Sequence, residues 1–138
     1  MNAITVDIKT YLEANTTLEF GTDLFINSMP TTPANATTLY NYTAAPLDLL
    51  LQDGQAYREP GNIQVLIRNV SYITAYQKAY ELIELFKEVH GISINSVVYL
   101  YIRVKEGVNE VVSGSGGKSK AGTTILSINL DILREINN

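Results

Sequence analysis

The stretch from Gly61 to Tyr72 constrains the fold more than any other part of this chain. Ile63, Val65 and Ile67 alternate with Gln64, Leu66 and Arg68, the period of two that a strand with two distinct faces requires. From Ser71 the period lengthens, and Tyr72, Ala75, Tyr76, Ala79, Ile83 and Phe86 fall on one stripe of a helix. A strand that runs into a helix with almost no linker joins two packed elements and sets the centre of the fold. Ser71 stands where an N-cap belongs, and Gly91 where a helix C′ residue belongs.

The rest of the chain supplies more strands than helices. Ile4, Ile8, Tyr11 and Leu12 predict an amphipathic helix of about three turns, ended by Asn15, Thr16 and Thr17. Leu24 to Ile26 predicts a short strand, stopped by Pro30 and Pro33. Thr37 to Thr43 alternates in a β-rich composition, and Leu47, Leu49 and Leu51 share one face of a further strand. Asp53-Gly54 and Glu59-Pro60-Gly61 read as turns. In the strand between Asn95 and Lys105, Val97, Tyr99, Tyr101 and Arg103 lie on one face, and Val98, Leu100, Ile102 and Val104 on the other. Val111 and Val112 suggest a short strand, and Thr123 to Ile132 a last one. Residues 113–121 are rich in Gly, Ser and Lys without periodicity and read as a flexible loop. Two amphipathic helices need a sheet to cover. The expectation is one domain over residues 1–138, α+β in class, with a mostly antiparallel sheet and two helices packed on one face.

Charge narrows the function classes. Only 17% of the 138 residues are charged, against about a quarter in an average chain. A surface rich in neutral Thr, Asn, Ser and Tyr costs less to desolvate against a partner, which favours assembly. The formal charge is -4, so a dedicated nucleic-acid binder, which needs a basic face, is disfavoured. With no cysteine, disulfides and thiolate metal sites are excluded. Met1 to Asp7 has no basic region followed by an apolar run, so a leader peptide is not expected there. No apolar segment is long enough for a membrane span.

The chemical inventory is sparse. Gly116, Gly117, Lys118 and Ser119 suggest a phosphate loop, but Val112 occupies the position of its first glycine and a strand follows where a helix is required. A hairpin tip fits better, or a tip that orders on a partner with Lys118 and Lys120 meeting acidic groups. His90 falls in the last turn of the long helix without a second ligand at a suitable spacing. Glu81, Glu84 and Glu88 lie off the apolar stripe with Lys78 and Lys87, as on a solvated face, and Glu84 can pair with Lys87. Tyr72, Tyr76 and Tyr80 recur every four residues, which suits either core packing or a subunit contact. No catalytic set, cofactor site or metal site is expected.

Three stretches together resemble one family. Asp23 to Pro30 followed by Asn35 to Tyr42 gives a strand, a proline and a second strand. Pro60 to Arg68, then Ser71-Tyr72 and Ala75-Tyr76, gives the pattern I-Q-V-x-x-R … S-Y-x-x-A-Y. Thr124 to Leu130 gives a closing strand. In order and spacing these are similar to the tail terminators of long-tailed bacteriophages, also known as minor capsid or tail-completion proteins. Ala44 to Tyr57 departs from that pattern.

The resemblance implies a ring, usually of six subunits, that stops tail-tube growth and offers the filled head a joining surface. Its partners would be further copies of itself, the tail tube protein, and a head–tail connector or stopper protein. DNA would pass through the ring unread. The protein would sit in the neck of the virion, assembled in the bacterial cytoplasm. A ring joins two different patches of the same chain, and Thr38, Tyr40, Tyr42, Gly116, Gly117, Lys118 and Lys120 are the candidate contacts. Arg68, Ser71, Tyr72 and Tyr76 mark the structural junction. Two other readings remain: another neck component, such as a head-completion or stopper protein, and a small ligand-binding or enzymatic domain with the tyrosines lining a pocket.

Overall fold

The computed structural model of the chain describes residues 2–43, 57–87, 89–111 and 123–136, without the side chains of residues 42, 43, 57 and 136. The elements, in chain order, are α1 (Ile4–Asn15), β1 (Leu24–Ile26), β2 (Ala36–Thr43), β3 (Tyr57–Asn69), α2 (Tyr72–Phe86), β4 (Val89–Ile94), β5 (Val97–Val104), β6 (Asn109–Glu110) and β7 (Thr124–Ile136). The strands form one sheet in the order β1-β2-β3-β7-β5-β4, with β6 also on β7. Among the described strands only the β1–β2 pair is parallel. The fold is therefore α+β, with a mostly antiparallel sheet, as its patterning predicts.

The spine of the sheet is β3 against β7, paired from Tyr57↔Ile136 to Asn69↔Thr124. The alternation read at Ile63, Val65 and Ile67 aims these side chains at one face, where they meet Leu126, Ile128, Leu130 and Ile132 in a core shared with both helices. α1 supplies Ile4, Ile8 and Leu12, while α2 supplies Ala75, Ala79, Leu82 and Phe86. Ile4 crosses β3 at Gly61, where a Cβ would stand 2.6 Å from Ile4 Cδ1. The glycine thus admits the helix rather than making a turn.

Several local readings are corrected. Glu59-Pro60-Gly61 is not a turn, because β3 runs through it. Among the described residues Pro60 lies beyond the last β2 partner, Asn62, in a stretch paired on β7. There the missing proline N–H interrupts none of the described β2 ladder. α2 ends at Phe86, and His90 and Gly91 belong to β4 rather than to a helix end. Asn95 and Ser96 both have positive φ, 50° and 66°, the geometry of a tight hairpin turn between β4 and β5.

On β5 the expected alternation breaks. The register against β7 shifts between Tyr99 and Tyr101, a bulge that turns Tyr99 and Ile102, rather than Tyr99 and Tyr101, toward the core. The short strand expected at Val111 and Val112 is instead β6 at Asn109–Glu110. Val111 still donates its N–H to Ile125. The closing strand extends four residues past Ile132 to Ile136. The strand expected at Leu47, Leu49 and Leu51, the Asp53-Gly54 turn, Glu88, Val112 and the loop at 113–121 lie outside the described residues.

Candidate subunit-contact surface

α2 is rotated relative to the stripe that its sequence suggests. Ala75, Ala79, Leu82 and Phe86 face the sheet, while Tyr72 is 52% exposed, Ile73 68% and Tyr80 57%. Val70, just before the helix, is 57% exposed. Four of the five large apolar side chains that stand out in solvent among the described residues thus lie on this one element or its approach. The fifth, Phe20, lies under the Lys9 ammonium.

The tyrosines form a ladder along the flank of α2. The Tyr72 and Tyr76 ring centroids are 4.9 Å apart, and those of Tyr76 and Tyr80 6.2 Å. Tyr72 Oη and Tyr76 Oη both donate to Glu110 Oε1, at 3.0 and 2.8 Å. The Tyr76 hydroxyl is held well above its ordinary value, first by the hydrogen bond to Glu110 and then by that with Tyr72. The carboxylate of β6 therefore holds two rings in place, that of Tyr72 exposed and that of Tyr76 half-buried. The shallow groove along this flank is lined by Tyr72, Ile73, Tyr76, Gln77, Tyr80, Glu81 and Glu84.

Ser71 caps α2 by accepting the Thr74 N–H at 3.2 Å. Arg68, three residues earlier, clasps the segment before β2. Its guanidinium donates to the carbonyls of Pro30 and Pro33, both at 2.6 Å, and of Ala34 at 3.0 Å. Asn35 Oδ1 accepts the Val70 N–H at 2.9 Å. Arg68, Ser71, Tyr72 and Tyr76 each make a side-chain hydrogen bond at this end of α2.

Of the other candidate contacts, Thr38 is fully buried and Tyr40 half-buried. Both lie on the sheet face turned away from the helices, opposite Leu66 and Gln64. The side chain of Tyr42, and all of Gly116, Gly117, Lys118 and Lys120, lie outside the described residues. The Glu84–Lys87 pair forms at 3.8 Å on the exposed side of α2.

The sequence reading missed a buried polar cluster. Asp7, fully buried on α1, accepts from Tyr99 Oη, Asn95 Nδ2 at 2.8 Å and Arg134 Nη1 at 3.3 Å. Arg134 also donates to the Asn2 carbonyl at 2.8 Å and to Glu59 at 3.1 Å. Burial, and then the bond to Asp7, raise the Tyr99 hydroxyl well above its ordinary value, against the pull of Arg134. A carboxylate, a phenol and a guanidinium together resemble a catalytic set. They bond to one another, however, although Arg134 Nε is left without a partner, and they line neither the groove along α2 nor the cleft of about 470 Å³ between the end of α1 and α2. Their role is to tie α1 to the sheet. The only local signal was a carboxylate one position before Ile8 on an apolar helix face.

Among the described residues no group of three or more His, Cys, Asp and Glu is placed to hold a metal ion. No described helix is long and apolar enough to cross a membrane.

Residues 11–136 match the family described as bacteriophage tail terminator protein. A solved structure 17% identical in sequence superimposes with a TM-score of 0.50, over 99% of this chain and 92% of that one, which bears on the fold alone. No curated protein matches.

Proposed function

Since this chain belongs to the bacteriophage tail terminator family, which matches it over residues 11–136, we propose that it closes the head-proximal end of the tail tube as a ring of identical subunits. The family places it as a structural component of the virion tail. The finer reading is a ring, of six subunits in the form that the resemblance implies, which stops tube growth and then presents a joining surface to a connector or stopper protein. Residues 1–138 act in it as one unit, at the neck of the virion and after assembly in the host cytoplasm. DNA passes through without being read, in keeping with a net charge of -4. No bond-making chemistry is required of the chain.

The observation that carries this reading beyond the family match is the exposed aromatic and aliphatic flank of α2. Exposed apolar side chains gathered on one face mark a contact surface. Tyr is also among the residues enriched where proteins meet.

The test has two arms. Purified protein should give ring-shaped particles in electron micrographs, either alone or on the ends of isolated tail tubes. A phage lacking the gene should make overlong tails. Tails of normal length beside unjoined heads would instead assign the protein to another neck position. A chain that stays monomeric and never joins a tube would remove the reading.

A further inference from the structure

We propose that the contact between copies joins two different faces of the chain: the outward flank of α2 in one copy seats on the helix-free face of the sheet in the next. The inference rests on the ring assembly proposed above and names the surfaces that make it.

Three observations lead to it. The first is where these faces lie. Both described helices pack on one face of the sheet, in the core with Ile63, Val65 and Ile67. The outer side of α2 and the opposite sheet face therefore look in opposite directions across a two-layer molecule. Two different patches so placed repeat head to tail, and such contacts close a ring when the rotation between neighbours closes the circle.

The second is that each face has uncovered apolar surface. Ile73 and Tyr80 stand out from α2. On the opposite sheet face Leu66, Tyr101 and Leu133 are only half-buried, and no described helix covers them.

The third is charge. The α2 flank is bordered by the exposed carboxylates Glu81, Glu84 and Glu110. The register places Arg58 and Arg103 on the helix-free face, opposite Glu135 and Asp131. Lys105 follows them there, its N–H bonded to the Asn129 carbonyl. The Arg103 guanidinium lies 4.4 Å from the Tyr101 ring centroid and is held by Asp131 at 2.8 Å, yet its side chain is 62% exposed. A cation held in place with its outer edge open is suited to a second carboxylate. An acidic apolar ridge and a cationic apolar face on the same chain favour a second copy as the occupant.

Ile73→Glu disables the helix face and Arg103→Glu the sheet face. Ile73 is exposed, so Ile73→Glu should melt like the unmutated chain; Arg103→Glu sets a second carboxylate opposite Asp131 and should melt a little lower while remaining folded. Each variant alone should sediment as a monomer at concentrations where the unmutated protein forms rings, with half-assembly displaced upward by at least about tenfold. An equimolar mixture should give dimers and nothing larger, because each pair retains one intact helix face and one intact sheet face. Rings formed by either variant at the unmutated concentration would overturn the proposal, and so would dimers formed by Arg103→Glu alone, which would mean that the helix face pairs with itself. Failure of the unmutated chain to assemble, alone or on tubes, would instead remove the ring reading on which this one stands.

Discussion

Ser71 and Tyr99 show how single side chains settle the elements around them. Ser71 supplies the oxygen that takes the Thr74 N–H at the start of α2, one of four donors that a helix leaves unpaired there. Ser71→Ala should cost about 1 kcal/mol and lower Tm by about 4 °C, read by calorimetry. Tyr99 acts through its proton. Burial first, then the bond to Asp7, hold that proton above the ordinary value of 10.0. The unfolded chain releases it at the ordinary value. The stability tied to protonated Tyr99 is therefore complete below pH 10.0 and is lost as pH climbs past it. Denaturant melts at successive pH values should show a steep alkaline decline for the unmutated chain and a shallower one for Tyr99→Phe. Parallel declines would mean that Tyr99 does not couple folding to pH.

At the scale of elements, α1 packs on β3 where Gly61 carries no side chain. Ile4 fills the space that a side chain at Gly61 would need. Gly61→Ala should destabilise the fold by about 1–3 kcal/mol. Because the clash is with the tip of Ile4, adding Ile4→Val should recover most of the loss, a coupling that a double-mutant cycle measures. Additive losses would place the cost in the β3 backbone instead. The same two positions show how far elements were legible. Ile4 lies on the apolar face of α1 that its spacing predicts. Gly61, next to Pro60, carried a turn signal that the continuous pairing of β3 on β7 overrode. Turn propensity is worth little against a ladder of thirteen residues and a helix packed across it.

At the scale of the whole molecule, Arg134 joins the two ends of the chain. It lies 127 residues from Asp7 and binds it in the interior, while its other nitrogen holds Glu59 of β3. Removing one partner strands a buried charge, so Arg134→Met should cost about 3–5 kcal/mol. Asp7→Asn with Arg134→Met should cost less than the sum of the two single changes, because neither then leaves an uncompensated ion. Chemical denaturation of the three variants checks this. Equal and additive losses would mean that the pair is not coupled. With α1 tied to β3, β5 and β7 by that cluster, and α2 to β6 through Glu110, the outer surfaces are held on a rigid frame. Such a frame suits the ring proposed above.

The chain by itself determined the two periods on either side of Ser71, the N-cap between them, the α+β class and the family, because each of these is written in neighbouring residues or in the order of short patterns. Only the tertiary structure decided which side of α2 faces the core, that a bulge on β5 sends Tyr99 and Ile102 the same way, and that Asp7 meets Arg134. Helix rotation, strand register and the pairing of buried charge are set by contacts between distant segments. No local window of sequence contains both partners, and those contacts leave Tyr72 and Tyr80 exposed while Tyr76 packs half-buried against the core.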